Sequence, residues 1–168
     1  MSEQKTHYRK AFNSPYLGSA DIVEPQVFTT SHVALEPHKV NKKAGEFFNT
    51  CYFKDAEIRP GEKMKPMILN ATNSKMMAEL SGSKFIDDWG GIRLMIYVDP
   101  NVKQIGGGTG DGLRIRPAPQ RQAIVPGSPL WEGAKRAFAR DGNLDKVKAK
   151  ADISPENENL LMQEIMDA

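Results

Sequence analysis

The residues best suited to chemistry sit in two short stretches, Ile92-Arg93-Leu94-Met95-Ile96-Tyr97-Val98 and Leu113-Arg114-Ile115-Arg116-Pro117. Successive side chains on a strand point to opposite faces. Read as strands, these stretches bury Ile92, Leu94, Ile96, Val98, Leu113 and Ile115 on one side and present Arg93, Tyr97, Arg114 and Arg116 on the other. Guanidinium groups pair with phosphates and aromatic rings stack on bases. Such a face suits a polyanion that carries flat bases, as single-stranded nucleic acid does. The same alternation also describes the charged, solvated outer side of an ordinary antiparallel sheet.

Other chemistries find less support. No nucleophile, base and orienting acid fall together, so nothing argues for catalysis. His7, His32 and His38 are scattered, and one cysteine, Cys51, stands beside them; neither a metal nor a cofactor is expected. Asp87-Asp88 could ligate a cation or serve a metal-dependent nuclease, but adjacent acids at a helix end read equally as a solvated cap. The run Gly106-Gly107-Gly108-Thr109-Gly110-Asp111-Gly112 is followed by neither Gly-Lys-Ser/Thr nor a helix, so it is no phosphate-binding loop. It reads as a mobile hairpin loop, or as a loop that orders over DNA.

Composition sets the frame for these elements. The 168 residues suffice for one core-bearing domain and an appendage. Net charge is only +2, which excludes a strongly basic nucleic-acid coat. From Asp152 onward there are five acids and no Lys or Arg, so the body is mildly basic and the end acidic. A polar start, no long apolar run and a lone cysteine predict a reducing, cytoplasmic setting without a membrane partner.

Along the chain, residues 1–25 read as an irregular arm packed in part through Tyr8, Phe12, Tyr16 and Leu17. Val27 to Leu35 predicts a first strand with Val27, Thr29, Ser31, Val33 and Leu35 on one face. Glu46 to Lys54 predicts a second, with Phe48, Tyr52 and Lys54 opposite Phe47, Cys51 and Phe53. Arg59 to Lys63 is a Pro-Gly turn, and Lys65 to Asn70 a third strand. The period then turns helical through Met76, Met77 and Leu80, capped by Asn70, Thr72 or Asn73 and stopped at Gly82. The order β-β-β-α-β-β, with one helix between the third and fourth strands, is that of a five-stranded OB-fold, a Greek-key barrel. It places an OB domain over 26–117, a Pro-rich linker over 118–129, and a helical region over 130–168. In that last region Ser128 and Ser154-Pro155 open helices with apolar stripes Leu130, Ala134, Phe138 and Leu160, Leu161, Ile165.

The segments Cys51-Tyr52-Phe53-Lys54, Lys65-Pro66-Met67-Ile68-Leu69-Asn70-Ala71-Thr72-Asn73, Asp87-Asp88-Trp89-Gly90-Gly91 running on to Tyr97, and Gly112 to Pro117 carry a resemblance. Over about residues 12–117 the chain resembles a family of small phage proteins that accompany recombination and replication genes and look like OB-fold single-stranded DNA-binding proteins. The resemblance implies single-stranded DNA binding without sequence preference, no cofactor, and the cytoplasm of a bacterial host.

OB-folds bind along their second and third strands, framed by the loops after strands one and four. Those pieces are Phe48, Tyr52, Lys54 and Lys65, the loop with Lys39, Lys42 and Lys43, and the glycine loop with Lys103; Arg93, Tyr97, Arg114 and Arg116 extend the face. The helical region is expected to serve self-association or a recombinase, nuclease or polymerase partner. The alternative is a protein-interaction module, such as an inhibitor of a host factor, that uses the same sheet face and the helical stripes.

Overall fold

The computed structural model describes residues 5–12, 14–41 and 43–168. Its contacts divide the chain into two units, one ending at Ala118 and one beginning at Pro119. In the first unit the elements are β1 (Gln26–Glu36), β2 (Phe48–Phe53), β3 (Glu57–Arg59), β4 (Glu62–Lys63), β5 (Met67–Leu69), α1 (Ala71–Ser81), β6 (Arg93–Lys103) and β7 (Thr109–Pro117). Five strands make one antiparallel sheet in the order β5-β2-β1-β6-β7, and β3 pairs with β4 as a separate hairpin. The expected Pro-Gly turn is the tip of that hairpin, where Gly61 takes a φ of 86°.

Apolar alternation sets one side of the sheet. Phe28, Val33, Cys51, Met67, Leu69, Leu94, Ile96 and Ile115 pack with Met77 of α1 and with Leu17 and Ile22 of the N-terminal segment. A fully buried Leu or Ile stabilises a fold by about 1.5–3 kcal/mol, so this layer dominates the unit. Tyr16 and Leu17 are buried as expected, whereas Tyr8 and Phe12 are exposed, against expectation. Tyr8 opens and Phe12 caps a single 3-10 turn, Tyr8–Ala11, that buries none of its residues.

The uniform alternation expected along β1 fails at one place. Register shifts between Thr30 and His32, so Phe28 and Thr30 face inward before the bulge and Val33 after it. The buried Thr30 hydroxyl donates to the Trp89 carbonyl at 2.8 Å and accepts from the Ile92 amide at 2.9 Å. Gly90 passes so close that a Cβ there would stand 2.6 Å from the Ser31 carbonyl oxygen. The bulge therefore holds the entry to β6.

Helix α1 starts where Asn70 accepts from the Asn73 amide at 2.9 Å and stops at left-handed Gly82. Buried Asn73 donates to the Leu113 carbonyl of β7 at 3.0 Å. The terminal strands of the sheet, β5 and β7, are not hydrogen-bonded to each other. The sheet is thus open, where the sequence predicted a closed barrel. Two causes are local: β5 has only three residues, and α1 lies along both β5 and β7, with Asn73 taking a β7 carbonyl.

The glycine run also differs from a plain loop. Gly106, Gly107 and Gly108 have φ values that favour glycine and form the turn, while Thr109 to Gly112 belong to β7, with Thr109, Gly110 and Gly112 pairing with β6 across a register shift.

The second unit has its own core of Ile124, Trp131, Ala134, Leu144, Ala151 and Leu161. Its helices are α2 (Pro129–Asp141), α3 (Asp145–Lys148) and α4 (Pro155–Met166). Ser128 and Ser154 accept from the amides of Trp131 and Asn157, each followed by a proline at the first helical position. Leu161 is buried and Leu160 is 40% exposed, so the expected stripe reduces to Leu161 and Ile165. Residues 160 and 161 stand about 100° apart on a helix, and one side cannot bury both. Among the described residues no helix is long and apolar enough to cross a membrane.

Candidate nucleic-acid interface

The outer side of the sheet carries most of the predicted residues. Tyr97 pairs across strands with Arg114, and Met95 with Arg116. Thr29 of β1 pairs with Arg93, and the Lys54 amide bonds the Thr29 carbonyl at 2.8 Å. Alternation puts Arg93, Tyr97, Arg114 and Arg116 together, opposite Leu94, Ile96 and Ile115 in the core. The Arg116 guanidinium lies 4.8 Å from the centre of the Tyr97 ring, and its Nε donates to the Met95 sulfur at 3.2 Å. Arg114 stands 4.0 Å from the Asp99 carboxylate, at the limit of an ion pair. A ring quadrupole and a thioether orient a guanidinium without neutralising it. Arg116 is therefore held without a carboxylate partner among the described residues, whereas Arg114 has Asp99.

Towards the other end of β1 the outer side becomes aromatic. His32 pairs with Tyr52, and their rings stack at 4.6 Å with 7° between planes. The Tyr52 hydroxyl donates to Glu36 at 2.7 Å; that bond first, and burial second, push its pKa up to about 12. Lys39 lies over the Tyr52 ring at 5.7 Å. Phe48 meets the edge of His38 at 6.0 Å, and His38 meets Tyr16 at 4.8 Å. Tyr52 and Phe48 are therefore half-buried members of a ring cluster. His32, exposed beside Tyr52, offers the outward ring of the pair. Neither His32 nor the bulge that turns it outward was anticipated. A lone histidine in an alternating strand signals nothing until its register is known.

The remaining predicted residues separate. Lys43 is exposed in the loop after β1, Lys103 is exposed at the end of β6, and Lys42 lies outside the described residues. Lys65 is drawn elsewhere: its Nζ sits 3.2 Å from Asp21, which Lys10 also reaches at 2.6 Å. Lys10 and Arg59 further bind Glu62 at 2.7 and 2.6 Å. Burial raises the pKa of the Asp21 carboxyl; the bonds from Lys10 and the Gly18 amide, with the charge of Lys65, outweigh it and hold the group below the ordinary carboxylate range. Lys65 is thus tied into a cluster of opposite charges.

Burial pushes the Cys51 thiol up to about 12, so it stays protonated and unreactive. Among the described residues no group of three or more His, Cys, Asp or Glu side chains could hold a metal ion. What the outer side offers is three guanidinium groups, two ring clusters and few carboxylates. Comparison with protein-family models, with curated protein sequences and with solved structures finds no match for this chain.

Proposed function

We propose that this chain binds single-stranded DNA without sequence preference through the outer side of its five-stranded sheet, in support of phage DNA replication or recombination. The observation that carries the reading is the placement of Arg114 and Arg116 beside Tyr97 on two paired strands, with Arg93 on the same side four residues earlier along β6. Phosphates would meet the guanidinium groups, and bases would stack on Tyr97 and on the His32–Tyr52 pair. Neither interaction reads base identity, because every base has a flat face and every nucleotide a phosphate. The strand order β5-β2-β1-β6-β7, with α1 following β5, supports an OB-fold opened along the seam between its outermost strands.

A salt titration with fluorescent oligo-dT tests the proposal. Log K falls with log salt by about 0.7 per phosphate contact. Arg114→Ala combined with Arg116→Ala weakens binding and reduces that slope by about 1.4, two contacts' worth, while the circular dichroism spectrum is unchanged. Absence of binding at low salt, or a double variant with unchanged affinity, overturns it.

A further inference from the structure

The second unit carries two surfaces of opposite character. Between α2 and α3 lies a groove of about 310 Å³, lined by Ala134, Ala137, Val147 and Ala151. Gly133 widens it, since a Cβ at that position would meet nothing within 4 Å. Arg140, Lys146 and Lys150 line the same groove. Arg140 and Lys146 share one acid, Asp141, at 3.0 and 3.6 Å, and Lys150 makes no ion pair among the described residues. Three cations against one carboxylate leave the groove with two uncompensated positive charges.

The outward side of α4 is the complement. Glu156, Leu160, Gln163 and Asp167 recur at intervals of four, three and four residues, so they share one side, and all are exposed. Leu160 is 40% and neighbouring Met166 77% exposed. Neither Glu156 nor Asp167 makes an ion pair among the described residues. The other side of α4 is fastened down: Leu161 is fully buried, the Trp131 indole donates to Glu164 at 3.0 Å, and the Asn157 side chain donates to the Ile124 carbonyl at 3.1 Å. Helix α4 therefore cannot turn its acidic, apolar side into the groove of its own chain.

We infer that this groove receives the Leu160 side of α4 from a second copy of the chain, with Glu156 and Asp167 set against the Arg140, Lys146 and Lys150 rim. Two different surfaces meet in this contact, so it is head-to-tail and repeats from copy to copy. Attraction between exposed charges makes it weaken as salt rises.

Sedimentation velocity on the full chain tests it. At low salt the chain grows beyond a dimer with concentration, and at high salt it returns to monomer. Lys146→Glu with Lys150→Glu abolishes growth, and so does Glu156→Lys with Asp167→Lys. Mixing the two variants restores it, because every groove then faces a stripe of opposite sign. Leu160→Ser weakens association by about tenfold without touching a charge. Circular dichroism and Trp131 fluorescence verify that each variant is folded. A wild-type chain that stays monomeric at low salt overturns the inference, and in that case capture of a foreign acidic peptide by the groove would assign the groove to another protein. Charge-reversed variants that associate as the wild type does overturn it as well.

Discussion

The first unit holds its cations in two different ways. Beside Asp21 and Glu62, the side chains of Lys10, Arg59 and Lys65 sit 2.6–3.2 Å from carboxylate oxygens. On the outer side of β6 and β7, Arg116 rests on a ring and a sulfur, and Arg114 stands 4.0 Å from its nearest acid. The first arrangement spends its charge inside the molecule. The second holds the charge in place and leaves it available. For a polyanion the distinction matters more than the number of basic residues, because a cation already paired must lose one partner to gain another. A chain of net charge +2 can therefore bear a binding face, provided that its acids are drawn elsewhere.

The largest effect should come from breaking the first arrangement. Asp21→Asn leaves Lys65 facing a neutral amide and Lys10 holding only Glu62, at an expected cost of about 2–3 kcal/mol in a urea unfolding experiment. Affinity for oligo-dT should stay within about twofold, a difference of roughly 0.4 kcal/mol. A large change in affinity would merge the two clusters into one functional surface. The acid limb of stability carries the same signature. Asp21 and Glu62 are both held below the ordinary carboxylate range. Their unfolded forms bind more protons, so stability rises with pH there. The contribution is complete above the unfolded carboxylate values of about 4 and is lost as pH falls through the lower folded values. Wild type should lose stability more steeply than Asp21→Asn in that window.

The second arrangement is tested by removing a ring and keeping its bulk. Tyr97→Leu leaves a side chain that can pack beside Met95 but gives neither a cation–π platform to Arg116 nor a stacking surface to a base. The expected loss is about 1–2 kcal/mol of affinity for oligo-dT, measured by fluorescence anisotropy. Salt dependence should persist, since the guanidinium groups remain. A parallel loss of salt slope would mean that the ring acts only by positioning Arg116.

The alternation of β6 and β7 was legible because the stretch that carries it, Leu94–Asp99 against Gly112–Pro117, keeps one register, the shift falling beyond it between Asp99 and Val102. Helix caps at Asn70, Ser128 and Ser154 were legible for a similar reason: each is settled within four residues. What the sequence hid was contingent on distance or on irregularity. The β1 bulge depends on Thr30 reaching Trp89 and Ile92, some sixty residues away. The open seam depends on Asn73 taking a carbonyl forty residues downstream. Leu160 and Leu161 look alike in a stripe, and only packing on α2 decides which is buried.

Lys65 gives the smallest and most discriminating test. Its neighbours in sequence, Met64, Pro66 and Met67, say nothing of charge, and its place before a strand recommended it as a phosphate contact. In the fold its partner is Asp21, forty-four residues earlier. Its side chain is only partly covered and Lys10 holds the same carboxylate more closely, so Lys65→Ala should lower stability by no more than about 1 kcal/mol. A cation committed to a carboxylate contributes no released counterion on binding. Lys65→Ala should therefore leave the slope of log K against log salt unchanged, where Arg116→Ala reduces it by about 0.7. Equal slopes for the two variants would mean that a polyanion can take Lys65 away from Asp21. The contrast between spent and available charge would then be one of degree, set by how strongly the anion competes.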